Sequence, residues 1–195
     1  MRQLTLLVAC LALLSAPGVA QDCATLPFPA IAPSGVMQCD TVIGAPEAAL
    51  AKLPDLRDTV LSEGDLELRF WYGNGPVRPK GLVLRRTGGM WHAMQYTYDR
   101  STRCLMPTLL ESAIDWSHVW RQVEAEHVLE LPAEPYRAEV IEDGTFYGLE
   151  VKLGAAYNAV SYGNPEAHDT AEDRRMLRVV TALLRPLRGT VETEG

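Results

Sequence analysis

Between Leu66 and Tyr72 the chain alternates strictly: Leu66, Leu68, Phe70 and Tyr72 are separated by Glu67, Arg69 and Trp71. A period of two predicts a β-strand with one buried face, and this is the clearest strand in the sequence. Shorter runs at Leu82 to Arg86 and Met90 to Tyr98 predict two more strands, with Gly88-Gly89 turning one into the next as an antiparallel meander. Phe146 to Leu153 and Tyr157 to Tyr162 complete a set of about five strands around a turn at Gly154-Ala155.

The period changes at residues 112 to 129, where Trp116, Trp120, Val123 and His127 recur at helical spacing and Asp115 can cap the first turn. A second amphipathic helix follows Thr170, with Asp173 at the capping-box position and Met176, Leu177, Val180, Leu184 and Leu187 as its apolar stripe. Gly189 is its expected stop. Ala45-Pro46-Glu47 opens a short helix with proline in the first turn, which Pro54 stops or kinks. The expected fold is therefore α+β: an antiparallel sheet of about five strands, two main helices packed on it, and a short helix at the N-terminal side.

The first twenty residues follow a different logic. Arg2, then an apolar run from Leu4 to Leu14, then Ser15-Ala16-Pro17-Gly18-Val19-Ala20 make the three parts of a secretory signal peptide. Gly18 and Ala20 place the cut before Gln21, and the run is shorter than the roughly 20 residues a membrane span needs. Lipidation at Cys10 is disfavoured, because cutting there leaves fewer apolar residues than the ~7 to 15 that such a segment uses. The expected organisation is a signal peptide at 1–20, a Pro-rich lead-in at 21–44, one domain at 45–189 and a disordered tail at 190–195. A periplasmic or secreted protein with no transmembrane segment after cleavage follows from this reading.

Without Arg2 the mature chain carries 17 basic and 25 acidic residues, a net charge of −8. Nucleic-acid binding, which depends on neutralising phosphates, is excluded on that balance. The charge is uneven: residues 69 to 103 are basic apart from Asp99, and residues 111 to 143 hold nine acids against Arg121 and Arg137. The expectation is that these segments lie side by side and neutralise each other.

Export makes a disulfide expected among Cys23, Cys39 and Cys104. Cys23 and Cys39 bracket fifteen Pro- and Ala-rich residues, a loop whose closure is worth roughly 3 kcal/mol, so they are the expected pair and Cys104 the remaining thiol. No Cys-x-x-Cys occurs, which removes zinc-ribbon and thioredoxin readings.

Candidate chemistry is sparse. Met90, His92 and Met94 share one face of a predicted strand and form a thioether and imidazole set suited to Cu(I), although Tyr96 and Tyr98 continue that face as ordinary packing. Glu124 and His127 stand three apart on the predicted helix, but carboxylate-bridged metal sites need two such pairs. Ser117 and His118 are adjacent and would point about 100° apart on a helix. Cys104 near Arg100 and Arg103 could be activated as a nucleophile if a histidine approached it. Trp71 and Trp91, opposite in phase to Phe70 and Met90, are the expected exposed aromatic anchors. No cofactor motif and no Gly-x-Ser-x-Gly is present. The expected function is a non-enzymatic binding or accessory domain of the bacterial cell envelope, acting on a protein or small ligand. The alternative is an exported hydrolase whose site is assembled from scattered residues.

Overall fold

A computed structural model describes residues 45–74, 79–110, 113–134 and 144–188. The expected signal peptide, the lead-in with Cys23 and Cys39, Gly189 and the expected tail at 190–195 lie outside the described residues. Within them the chain runs α1 (Ala45–Leu50), β1 (Leu66–Asn74), β2 (Lys80–Thr87), β3 (Met90–Asp99), β4 (Cys104–Leu109), α2 (Trp116–Glu124), β5 (Thr145–Leu153), β6 (Ala156–Gly163) and α3 (Ala171–Arg188). All neighbouring strands are antiparallel, in the order β4-β3-β2-β1-β5-β6. The protein is thus mixed α+β with six strands rather than about five.

The additional strand is β4, at the edge beside β3. Its sequence, Cys104 to Leu109, contains Pro107 and follows a polar turn, so it lacks the alternation that marks the others. Proline is tolerated there because one side of an edge strand has no ladder to donate to. Leu110 N–H donates to the Ala93 carbonyl, which puts the odd-numbered positions of β4, Pro107 among them, on the unpaired side. The missing donor at Pro107 blunts the edge against pairing with another chain.

Gly88 and Gly89, both at positive φ (56° and 84°), form the two-residue hairpin between β2 and β3. Thr170 and Asp173 form the expected capping box on α3: Thr170 Oγ1 donates to Asp173 Oδ2 at 2.6 Å, and Asp173 N–H donates to Thr170 Oγ1 at 3.1 Å. Asp115 caps α2 by accepting from His118 N–H at 2.9 Å. That helix ends at Glu124, five residues short of the expected 129, because His127 adopts a left-handed conformation (φ 49°) and opens a short 3₁₀ turn at Val128–Glu130.

The alternating positions of β1 separate two layers. Leu66, Leu68 and Phe70 join Leu82, Leu84, Leu149 and Val160 under α2 and α3, forming the main apolar core. The opposite face carries Trp71, Val83, Tyr96 and Leu105 against α1 and Leu53. Between these apolar groups lies a grid of charge. Glu67 sits opposite Arg85 of β2 and Lys152 of β5, and Arg69 opposite Glu150. Glu67, Arg69, Glu150 and Lys152 are all buried.

Candidate functional site

Trp71 is not an exposed anchor; its indole is fully buried on the charged face. The cause lies in its cross-strand partners, Gly81 and Gly148. A Cβ on Gly81 would overlap the Trp71 ring, so the absent side chain is what lets the indole lie flat on the sheet. Its Nε1–H donates to Glu150 Oε2 at 3.3 Å, and Tyr96 meets the ring edge-on at 6.0 Å. Gly148, inside a predicted strand, is the one available signal for this packing, since Gly81 falls in the turn expected before its strand.

Trp91 is half-buried on the other face. Its Nε1–H donates to Ser117 Oγ at 2.8 Å, and the Arg86 guanidinium, directly opposite it across β2 and β3, stands 5.6 Å from the ring centroid. These two contacts fix the indole as one wall of an open cleft of about 530 Å³. Ala93, Leu109, Leu110, Ile114 and Trp116 supply the apolar lining, while His92, Asp115 and Ser117 supply the polar groups. Leu109, opposite Met94 in register, is 66 % exposed at the end of the edge strand.

The cleft lining includes a serine, a histidine and an aspartate, Ser117, His92 and Asp115, the side-chain types of a hydrolase. Ser117 Oγ accepts from Trp91, the Asp115 carboxylate caps α2, and His92, opposite Arg85 in register, lies on the sheet face away from Trp91. No hydrogen bond joins a histidine to Ser117 among the described residues, so the nucleophile and base contact of acyl transfer is not made.

The remaining candidates separate in space. Met90, His92 and Met94 share a face as expected, yet Met94 packs into the second apolar cluster while Met90 is 67 % exposed and His92 is exposed. No group of three or more His, Cys, Asp or Glu side chains is placed to hold a metal ion among the described residues. Glu124 and His127 do not share a helix face, since the helix has ended before His127 and only their backbones meet, His127 N–H to Glu124 carbonyl at 2.8 Å. Cys104 is buried, which withdraws its sulfur from solvent and counts against a nucleophilic role. The expected Cys23–Cys39 pair lies outside the described residues.

The basic and acidic segments do not pair in the expected way. Arg69 and Arg85 both pair with Glu67, Nε to carboxylate at 2.7 Å each. On the helical face Glu126 is held by Arg178 of α3, with two bonds at 2.7 and 2.8 Å. Among the described residues, the ion pairs formed by Arg69, Arg85 and Glu126 do not join the basic segment to the acidic one.

Among the described residues no helix is long and apolar enough to cross a membrane. No protein-family model matches the chain, and no curated protein matches it.

Proposed function

We propose that this protein is an exported, non-enzymatic binding domain of the bacterial cell envelope, and that it takes a small apolar or aromatic molecule in the cleft beside Trp91. The observation that carries this reading is the cleft itself. Its volume of about 530 Å³ falls in the range used by small-molecule sites, and its lining is largely apolar with a few polar groups at defined places. Trp91 is held by Ser117 and Arg86, so it offers an aromatic wall that needs no reordering on binding. The signal peptide read from residues 1–20 supports export.

Anilinonaphthalene sulfonate, an aromatic dye, tests the cleft in the folded, oxidised protein. It is expected to bind with enhanced fluorescence. Ile114→Ser, which shortens a half-buried apolar side chain of the lining, is expected to weaken binding about tenfold, since apolar contact worth roughly 1.5 kcal/mol is lost. Circular dichroism should show the variant folded. Absence of dye binding to the folded protein, or equal binding by folded Ile114→Ser, would overturn the proposal. The hydrolase reading rests on His92, Asp115 and Ser117 lining one cleft. Labelling of Ser117 by a fluorophosphonate probe would establish it in place of the binding reading.

A further inference from the structure

The cleft beside Trp91 carries a net charge. Of the side chains that line it, only His92 and Asp115 are titratable, and His92 lies on the sheet face away from Trp91. Asp115 is exposed and forms the N-cap of α2. Its Oδ1 accepts from His118 N–H at 2.9 Å, which holds the carboxylate in place, while its Oδ2 accepts no hydrogen bond among the described residues. Ser117 uses one lone pair of its hydroxyl to accept from Trp91 Nε1 at 2.8 Å and keeps a second. Two acceptors, a carboxylate oxygen and a hydroxyl oxygen two residues apart, thus accompany a lining that is otherwise apolar: Ala93, Leu109, Leu110 and Ile114 with the two tryptophans.

Nothing nearby cancels the negative charge. Among the described residues Asp115 forms no ion pair. Arg86, the cation that stands over Trp91, is not part of the lining, and its guanidinium donates twice to the Gly64 carbonyl, at 3.2 and 2.9 Å. The first-turn amides of α2 offset roughly half a unit of charge through the helix dipole and leave the rest. We infer that the cleft selects a small organic cation, an amine whose ammonium group meets Asp115 and Ser117 while its aromatic or aliphatic body packs on Trp91 and Ile114. Arg86 favours the same orientation, since it repels an ammonium from its own side of the indole. The inference rests on the reading of the cleft as a small-molecule site and adds the charge of the molecule it takes.

The probes are 2-phenylethylammonium and 2-phenylethanol, which share a ring and a two-carbon chain and differ in charge. Each is titrated into the folded protein and followed by NMR at the indole N–H resonance of Trp91. The ammonium should bind about fivefold more tightly than the alcohol, as expected for one partly exposed ion pair, and the preference should shrink in about 0.5 M sodium chloride. Asp115→Asn removes the charge and keeps a side chain that caps a helix equally well, so circular dichroism should show it folded. In that variant the two affinities should agree within about twofold, and the anionic anilinonaphthalene sulfonate should bind more tightly than to the parent. Equal affinity of the parent for ammonium and alcohol, or a preference that folded Asp115→Asn retains, would overturn the inference. Dye binding that Ile114→Ser weakens would then leave the cleft a ligand site without charge preference, whereas failure of all three probes to bind would overturn the site and the inference together.

Discussion

Replacing Trp71 with alanine separates two incompatible pictures of this protein. An exposed aromatic anchor could be removed with a change in stability within about 0.5 kcal/mol. The buried indole observed here, seated on Gly81 and Gly148 and meeting Tyr96 edge-on, predicts a loss of about 3 to 5 kcal/mol, the usual cost of truncating a core tryptophan. The glycines make relaxation difficult, since neither neighbour has a side chain to fill the space. Deletion also removes the N–H that Glu150 accepts, which places the expected value in the upper half of that range. Urea unfolding of the oxidised protein, followed by circular dichroism, measures it. With a slope of about 2 kcal/mol per molar urea, the midpoint should fall by about 1.5 to 2.5 M. Trp71→Phe keeps most of the ring and loses the donor, and should cost about 1 to 2 kcal/mol. A fall below about 0.5 kcal/mol for the alanine variant would refute the buried placement and restore the exposed one.

Gly81→Ala introduces a Cβ that overlaps the Trp71 ring and should destabilise by about 1 to 3 kcal/mol; in a Trp71→Ala background that penalty should largely vanish, a coupling read from a double-mutant cycle. Thr170→Ala removes both hydroxyl bonds of the α3 capping box and should cost about 1 kcal/mol in the same urea assay. The Glu150 carboxyl is held above its ordinary value, chiefly by burial, with the Trp71 hydrogen bond and the Arg69 charge opposing. A carboxyl raised on folding contributes stability that is complete below its unfolded value and lost as pH rises through its folded value. The stability of Glu150→Gln relative to the parent should therefore grow as the pH rises through and above the ordinary carboxylate range, and a flat difference would contradict the raised value.

Period-two alternation located β1, and short strand-prone runs between turn signals located β2, β3, β5 and β6. β4 escaped since a blunted edge strand needs no alternation: only Cys104 and Leu105 are buried, and Met106 to Leu109 are exposed. The capping residues Thr170 and Asp115 were legible because caps act through local backbone geometry alone. The burial of Trp71 and Arg69 was not, because both depend on what lies opposite across the sheet. Its trace is nonetheless present: Glu67, Arg69, Arg85, Glu150 and Lys152 share one phase on three strands, and Gly148 stands opposite the tryptophan inside a predicted strand. Opposite charges in phase on several strands indicate a buried polar layer where isolated ones indicate solvent. Trp91 was found as a candidate, but the cleft beside it was not, since Leu109, Leu110 and Ile114 lie on segments without periodic signal.

The position of that cleft follows from the width of the sheet. Six strands about 4.8 Å apart span roughly 24 Å, whereas two packed helices with axes 8 to 10 Å apart cover about 20 Å. One margin must be left to other groups. On the β6 side the deficit is met by residues 128–132, whose Val128 and Leu131 carbonyls accept from Asn158 Nδ2 and whose Pro132 carbonyl accepts from Tyr162 Oη at 2.8 Å. On the β3 and β4 side no comparable segment among the described residues is tied to the sheet, and only the first turn of α2 reaches Trp91, through Ser117. The apolar lining of Ala93, Leu110 and Ile114 is therefore core that the helix layer stops short of covering. A ligand bound there would continue the helix layer, so filling the cleft should protect the β3 and β4 amides from hydrogen exchange while leaving β6 unchanged. Protection spread evenly over both margins would mean that binding stabilises the whole fold and that the margin argument is wrong.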